Sequence, residues 1–337
     1  MKVTAIRALL AFLSLPALAR PVYAEPPARV TILYDAFGAQ STLTKDWGFS
    51  ALVEYGGKRI LFDTGNNGAI FAHNVKELKV DLTKLDAVVI SHRHGDHTSG
   101  LNHLLAVNPG VKIYTPFEVS FFKSPFNKAY FERAKDLPPN LRYFDEQSAD
   151  LISGTPWEKG NFQIIRQTTE IFPGFFLLTT RSEKTGTIEM NEVSLAIRTP
   201  KGLAVVVGCS HPGVEKILEN AAKIDPKIYM VTGGFHLVLT PQEEIQRVAS
   251  ILHDTLKVER VAPGHCTSEP GFAIFMDKFK DRFDAAGVGA VIALPFDDRN
   301  ATYAANPRPA GKLIWGRERV PPVFNESNNC KDPRWTR

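Results

Sequence analysis

The chain has 337 residues, of which 44% are hydrophobic and 23% are charged, with 24 glycines and 23 prolines. These values are ordinary for a globular protein and exclude a collagen-like, coiled-coil or wholly disordered chain. Three cysteines are too few for a disulfide scaffold. A formal net charge of +4, without a basic run or an RNA-binding motif, argues against a nucleic-acid partner.

The N-terminus has the layout of a secretory signal. Lys2 and Arg7 precede an apolar stretch at 8–19, and the residues at 22–24 provide a cleavage site. The stretch is too short for a stable membrane-spanning helix. We therefore expect cleavage after Ala24 to leave a periplasmic or secreted protein with no stable membrane insertion. The alternative is a buried N-terminal helix.

The β-rich runs of the mature chain are short and separated by turn residues. The clearest pair flanks Gly56 and Gly57, which is a strong signal for a β-hairpin. The predicted strands, in chain order, are 30–34, 49–55, 58–62, 87–90, 111–114, 162–166, 175–180, 193–198, 203–207, 228–232 and 258–262.

Helical periodicity appears between these runs. In the last helix, Thr240 is expected to act as the cap and Pro241 to occupy the first helical position. The order of elements predicts an α/β (α+β) fold with two sheets and helices outside them. The predicted helices are 68–79, 99–107, 213–223 and 241–256.

Two segments stand apart from this pattern. The aromatic residues at 116–150 predict either a helix that packs on the body or a lid insertion over a substrate cleft. The proline- and asparagine-rich residues 301–337 predict an irregular tail. With a signal peptide at 1–24, the main domain is expected at 25–300.

The strongest chemical signal directly follows the fourth predicted strand. His92, His94, Asp96 and His97 fall within six positions. Gly95 permits a tight turn, so a loop here can direct alternate side chains at one point. Neutral imidazole suits zinc, iron or nickel, and a carboxylate extends the choice to manganese. A metal site is favoured over a solvated polar loop with chance enrichment in histidine.

Three later histidines, His211, His236 and His265, each follow a strand and a turn of small residues. This repeated pattern predicts that they converge on one edge of the sheets. For each one alone, a hydrogen-bonded loop histidine is the alternative. The histidines that lack this context, and are expected to be ordinary surface or packing residues, are His73, His103 and His253.

The motif Ser91-His92-Arg93-His94-Gly95-Asp96-His97 resembles the metal-binding signature of the metallo-β-lactamase superfamily. The residues at 61–65 (LFDTG) resemble an early strand-turn of that fold. The motifs at 208–211 (GCSH), 233–237 (GGFHL) and 263–266 (PGHC) resemble a branch that includes proteins named after an archaeal dihydropterin ribofuranosylaminobenzene phosphate synthase. The resemblance covers about 30–270 and implies a four-layer αββα sandwich with a two-metal site at one edge.

The resemblance also implies two sets of ligands. The set implied for the first metal is His92, His94 and His211, and the set implied for the second metal is Asp96, His97 and His265. His236 is expected either to contact substrate or to complete the metal shell. Asp63 is expected to orient a ligand histidine.

One position departs from the common family pattern. A bridging aspartate usually follows a glycine at a strand end, whereas this chain has Gly208-Cys209. The second metal is then short of a carboxylate. Three interpretations stay open, namely that Cys209 binds as a thiolate, that a neighbouring group substitutes, or that the second metal is weakly held.

These residues predict an exported metal-dependent hydrolase that uses a metal-bound hydroxide on an ester or phosphoester-type bond of a small molecule. Two divalent ions are expected, zinc by preference, with manganese or iron as alternatives. Asp96 and His236 are the predicted catalytic residues. A β-lactam or lactone hydrolase is one alternative. A metal-binding redox protein is another, which iron or a Cys209–Cys266 disulfide would favour. The oligomeric state is left open.

Overall fold

The computed structural model describes residues 27–117, 156–183 and 190–296, together with short pieces at 124–125, 136, 138–141 and 152–153. The predicted signal peptide, the predicted tail and most of the aromatic segment at 116–150 lie outside the described residues. Within the described part of the chain, no helix combines the length and apolar character needed to cross a bilayer.

The strands were predicted from short β-rich runs, and most of them form where those runs lie. The first eight are β1 (Arg29–Tyr34), β2 (Ser50–Tyr55), β3 (Lys58–Phe62), β4 (Ala87–Val89), β5 (Lys112–Pro116), β6 (Ser124–Pro125), β7 (Ile152–Ser153) and β8 (Asn161–Ile165). The others are β9 (Thr169–Phe172), β10 (Phe175–Arg181), β11 (Asn191–Thr199), β12 (Gly202–Val207), β13 (Ile228–Gly234), β14 (Arg260–Gly264) and β15 (Val291–Ala293).

The strands form two mixed sheets. The first has the order β15-β1-β2-β3-β4-β5-β8 and the second β14-β13-β12-β11-β10-β9, while β6 pairs with β7. In the first sheet, pairing is parallel from β3 through β4 and β5 to β8. In the second sheet, β12, β13 and β14 are parallel. Strands β12 and β13 are buried along their whole length, as expected for the centre of a sheet covered on both faces.

The predicted hairpin forms between β2 and β3. Gly56 and Gly57 have φ values of 56° and 76°. Both values lie in the left-handed region, which glycine adopts without the steric penalty of a side chain. The turn fixes the register that pairs Tyr55 with Lys58.

The helices lie mostly on the outer faces of the sheets. They are α1 (Gly68–Glu77), α2 (Gly95–Thr98), α3 (Leu101–Val107), α4 (Val214–Ala222), α5 (Gln242–Ser250) and α6 (Glu269–Phe279). The α1 helix begins after Asn67, whose side chain accepts hydrogen bonds from the backbone N–H groups of Ala69 and Ile70. A π-helical turn at Ile251–Thr255 continues α5.

Three predictions about the elements need correction. Pro241 is extended (φ −56°, ψ 145°) and precedes α5 instead of entering it, and no side chain caps that helix. The α6 helix was not predicted, because Pro270 and Gly271 in its first turn obscure the helical pattern. Strands β9 and β15 were also missed, since runs of four and three residues carry little periodicity.

Hydrophobic side chains fill three successive interfaces. One core lies between the two sheets, with members such as Ile32 and Leu195. A second lies between the second sheet and α4, α5 and α6, and a third between the first sheet and α1 and α3. The molecule is therefore a four-layer αββα sandwich, as predicted.

Candidate metal centre

The polar residues of the centre come from segments that follow parallel strands. His92 lies after β4, His211 after β12 and His265 after β14. Because parallel strands end at the same edge of a sheet, the segments that follow them meet there. The structure brings these imidazoles, which are distant in sequence, to one edge of the sandwich.

The first donor group consists of His92, His94 and His211. Their donor atoms lie within 4.8 Å of one another. The ring centroids of His92 and His94 are 4.7 Å apart, and those of His211 lie 4.6 Å from His92 and 4.9 Å from His94. Three imidazoles at this separation match the set predicted for the first metal.

The second donor group consists of Asp96, His97, Cys209 and His265. The sulfur of Cys209 lies 3.2 Å from Nε2 of His97 and 3.3 Å from Nε2 of His265. One carboxylate oxygen of Asp96 lies 3.3 Å from the same His265 nitrogen. The sulfur of Cys209 thus stands among the predicted donors of the second metal, at the position where the family pattern commonly has an aspartate.

The motif itself folds differently from the predicted loop. His94 is the extended residue that precedes α2, and Asp96 and His97 lie within that single helical turn. Successive residues of a helix point in directions about 100° apart. The turn therefore divides the donors of the motif between the two groups, with His94 in the first group and Asp96 and His97 in the second.

Asp63 connects the two groups through hydrogen bonds. Its carboxylate accepts bonds from the backbone N–H of Ser91 and from the Ser91 hydroxyl, both at 2.7 Å. The same carboxylate lies 2.7 Å from Nδ1 of His97, and the Ser91 oxygen lies 2.9 Å from Nδ1 of His92. These contacts fix the Nδ1–H tautomer of both rings, so that Nε2 is the nitrogen available to a ligand.

Glu192, in β11, holds the third histidine of the first group. Its carboxylate accepts hydrogen bonds from the backbone N–H groups of Ser210 (2.7 Å) and His211 (2.8 Å). It also lies 3.1 Å from Nδ1 of His211. Sequence reasoning missed Glu192. The available signal was an acidic residue in a strand that is otherwise buried and largely apolar.

Asp35, directly after β1, is a second residue that the sequence analysis missed. Its carboxylate accepts the backbone N–H of His265 at 3.0 Å. His265 has a φ of 48°, a strained value for a residue with a side chain. The bond from Asp35 helps to hold that backbone, and with it the imidazole of the second group.

Burial and the neighbouring polar groups shift the pKa values of these side chains in opposite directions. Burial lowers the pKa of His97, but the carboxylates of Asp96 and Asp63 outweigh that effect and raise it above its ordinary value. Burial raises the pKa of Asp63, and the hydrogen bonds from His97 and Ser91 limit the rise. Burial likewise opposes ionisation of Glu192, but the hydrogen bonds from His211 and Ser210 hold its pKa below the usual range. An environment that favours a protonated His97 also favours a metal cation.

The remaining four histidines have different surroundings. The ring of His236 lies 4.4 Å from that of His211, and its donor atom belongs to a group with Cys209 and Cys266. The other three join no donor group among the described residues. His73, for example, is an exposed residue whose Nε2 bonds to the carbonyl oxygen of Thr42.

A family model described as the metallo-beta-lactamase superfamily matches residues 48–265, which is more than half of the chain and contains both donor groups. The chain belongs to the metallo-β-lactamase superfamily.

Named relatives within this superfamily carry different activities. The 7,8-dihydropterin-6-methyl-4-(β-D-ribofuranosyl)-aminobenzene-5'-phosphate synthase of Methanocaldococcus jannaschii is 31% identical over 293 residues, which is 78% of this chain and 95% of the synthase. Ribonuclease Z of Brevibacillus brevis is 25% identical over 202 residues, which is 60% of this chain and 61% of that enzyme.

A solved structure agrees with the fold. The crystal structure of a metal-dependent hydrolase of the β-lactamase superfamily matches with a TM-score of 0.61 and 28% identity, covering 79% of this chain and 99% of that chain. The predicted family and the predicted metallo-β-lactamase sandwich are confirmed.

The superfamily implies divalent metal binding, and the donor groups of this chain fit that expectation. Nδ1 of His94 is buried and has no hydrogen-bond partner among the described residues. A buried polar nitrogen without a partner is costly, and a cation held jointly with His92 and His211 would satisfy it. Imidazole, carboxylate and thiolate are all ligands that zinc accepts.

Proposed function

We propose that this protein is an exported metal-dependent hydrolase that cleaves ester or phosphoester bonds of small molecules. The observation that carries the proposal is the pair of adjacent donor groups at the edge of the metallo-β-lactamase sandwich. Two neighbouring cation positions are the arrangement with which such sites act on the attacking and the leaving oxygen of a displacement.

His92, His94 and His211 would hold one cation, and Asp96, His97, Cys209 and His265 would hold the other. Zinc is our choice, since an imidazole- and thiolate-rich set suits it better than manganese. Bound divalent cations supply Lewis acidity and activate water near neutral pH.

The residues of the chain have separate roles in this proposal. Asp96 is buried, and its carboxylate lies at the second group, where it can accept a proton from the attacking water and hold it for the leaving group. Asp63 and Glu192 keep the ligand rings in one orientation. The donors other than His94 are buried, which limits the access of bulk water.

A cavity beside the centre offers room for a substrate of modest size. It has a volume of about 360 Å³, lies between α4 and α5, and is lined by His236 together with residues such as Lys216 and Arg247. Small-molecule sites usually begin at about 300 Å³. We assign His236 to the substrate side of the reaction because it borders both this cavity and the His211 ring.

The test is a panel of nitrophenyl phosphodiester, nitrophenyl ester, lactone and cephalosporin substrates with metal-free and zinc-loaded protein. We expect zinc-dependent turnover of a phosphodiester or an ester, lost in His92→Ala and His94→Ala. Turnover of only the lactone or the cephalosporin would favour the alternative hydrolases. No turnover on any of the four by zinc-loaded protein would contradict hydrolysis.

A group-transfer reaction is a second candidate. The 31% identity to the archaeal synthase, over nearly its whole length, favours it. In that case the same centre would transfer a group from a donor that carries a leaving group to an acceptor, and the acceptor would take the place that water has in hydrolysis while the leaving group departs. Consumption of a phosphoribosylated acceptor together with a pterin donor, without hydrolysis of either alone, would identify this reaction.

Export is proposed from the N-terminal residues alone. The expected product is a chain that begins at Glu25. Terminal sequencing of the protein recovered from the periplasmic fraction or the medium tests this, and recovery of the chain with Met1 from the cytoplasm would contradict it.

A further inference from the structure

A third donor group lies beside the second one and includes two residues that neither metal position uses. The donor atoms of Cys209, His236 and Cys266 all lie within 4.8 Å of one another. We propose that this group is a separate binding site for a soft, thiophilic cation such as Zn²⁺ or Cd²⁺.

The three residues follow three neighbouring strands of one sheet. Cys209 comes after β12, His236 after β13 and Cys266 after β14. The other two donor groups combine residues from both sheets, whereas this one depends on the second sheet alone. The parallel register of these strands therefore sets the spacing of the three donors.

Close packing of the backbone allows the sulfur atoms to approach. A Cβ atom at Gly234 would lie 2.6 Å from the Gly208 carbonyl oxygen and 2.9 Å from the sulfur of Cys266. Only glycine leaves this space open. The thiol of Cys266 also lies 3.6 Å from the carbonyl oxygen of Cys209, which places the two cysteines side by side.

Neither Cys209 nor Cys266 forms a disulfide in the structure, and both side chains are fully buried. Two thiols and one imidazole form a set that binds zinc with three protein ligands and leaves a fourth position open. Soft sulfur ligands disfavour magnesium, calcium and manganese. Each thiol that is still protonated releases its proton to solvent as the cation binds. Uptake therefore releases two protons when the second group is empty, and one, from Cys266, when a cation there already holds Cys209 as a thiolate.

The conformation of His236 supports a ligand role. Its φ is 51°, a backbone conformation that is unfavourable for a non-glycine residue unless its surroundings hold it there. Its Nδ1 atom is buried and has no hydrogen-bond partner among the described residues. The same residue borders the cavity of about 360 Å³.

Cys209 belongs to both the second and the third donor group, so the proposed site adjoins the hydrolase centre. A thiolate has more than one lone pair and can bridge two cations, so occupation of the third group does not require the second to be empty. Cys266 and His236 then distinguish the proposed site, because they belong only to the third group.

The experiment is a titration of reduced, metal-free protein with Cd²⁺, followed by elemental analysis and ultraviolet absorbance of the thiolate–cadmium bonds. We expect Cys266→Ser and His236→Gln each to bind one cation fewer than the unmodified protein. The absorbance should fall by at least half in Cys266→Ser, because the bond from Cys266 and the bond from Cys209 to the third cation are both lost, while Cys209 stays bound at the second group. Cys330→Ser changes the third cysteine of the sequence, which the proposal does not use, and is the matched control that should change neither quantity.

Two results would overturn the proposal. One is an unchanged stoichiometry and absorbance in both variants, as judged on samples whose circular dichroism matches that of the parent. The other is a thiol count of one instead of three in unfolded, unreduced protein, which would mean that Cys209 and Cys266 form a disulfide. If Cys266→Ser does not fold, His236→Gln decides the question, since His236 is only partly buried.

The site and the hydrolase are tested separately. His92→Ala removes a ligand of the first group only, so the cadmium–thiolate absorbance should persist in it while hydrolysis is lost. Conversely, zinc-dependent turnover could be observed even if no cation binds at the third group, so the two proposals can fail independently.

Discussion

Asp63 is the residue on which both donor groups depend. Its carboxylate accepts three hydrogen bonds, two from Ser91 and one from His97, and Ser91 in turn contacts His92. A carboxamide cannot accept all of these bonds, because its nitrogen is a donor. The orientation of a ring in each group therefore rests on one side chain.

We predict that Asp63→Asn weakens both cation positions. Loss of a residue that orients ligand histidines typically lowers metal affinity by roughly 10- to 100-fold. Competition with a chelating dye, read as two binding constants, measures the effect. Asp86→Asn is the control, since Asp86 pairs with Lys58 at the surface. Unchanged affinity in Asp63→Asn would show that the hydrogen bonds do not set the ligand geometry.

Glu192 acts on one group only. It contacts His211, a member of the first group, and none of the donors of the second. We predict that Glu192→Gln lowers the affinity of the first cation by roughly 10-fold or more and leaves the second unchanged. The same dye competition separates the two constants, with the exposed Glu77→Gln as the control. An equal loss at both positions would contradict this assignment.

At the scale of elements, the ends of β4 and β12 meet across the two sheets. A Cβ atom at Gly208 would lie 2.2 Å from the hydroxyl oxygen of Ser91 and 3.3 Å from an Asp63 carboxylate oxygen. Gly208 thus allows the chain after β12 to pack against the residues that orient the ligands.

We predict that Gly208→Ala lowers the free energy of unfolding by about 1–3 kcal/mol, as is usual for overpacking in a filled interior. It should also weaken metal binding, because Ser91 must shift. Denaturant titration of metal-free protein gives the first quantity. Gly110→Ala provides the comparison, since nothing lies within 4 Å of its added methyl group. Equal stability of the two variants would contradict the proposed contact.

The elements that the sequence predicted best are those with a strong local signal. The hairpin at 49–55 and 58–62 appears as Ser50–Tyr55 and Lys58–Phe62, because a pair of glycines defines its turn. Where local signals conflict, prediction failed. Pro270 and Gly271 obscured α6, although Phe275 and Phe279 form its buried face.

In the site, too, residues were predicted where they are close together in the sequence and missed where they are far apart. The donors at 92–97 could be recognised because they are neighbours in sequence. Glu192 lies 19 residues from His211, and Asp35 lies 230 residues from His265. Their roles follow from the pairing of strands and the packing of two sheets, and a single sequence does not contain that information in any local pattern.

At the scale of the whole molecule, each metal position joins the two sheets. His92 and His94 follow a strand of the first sheet, and His211 follows a strand of the second. The second group likewise combines Asp96 and His97 with donors from β12 and β14. A cation at either position therefore acts across the apolar interface between the sheets.

This arrangement predicts that metal binding stabilises the fold as a unit. Because the donors meet only in the native state, a cation at 100 times its dissociation constant should add about 2.7 kcal/mol to the free energy of unfolding. The midpoint of thermal unfolding should rise with zinc concentration and fall on addition of a chelator. Differential scanning fluorimetry across a zinc series measures both.

The decisive comparison removes one ligand from each sheet in turn. In both His94→Ala and His211→Ala, we expect the loss of that part of the zinc-dependent rise in the unfolding midpoint that comes from the first position. The loss should be equal in the two variants, because a cation that bridges two sheets needs donors from both. His73→Ala should keep the full shift, since His73 is exposed and belongs to no donor group in the part of the chain that the structure describes. If either ligand variant kept the full zinc-dependent rise of the unfolding midpoint, the cation would be held by one sheet alone. That result would contradict the proposed coupling between metal binding and the packing of the two sheets.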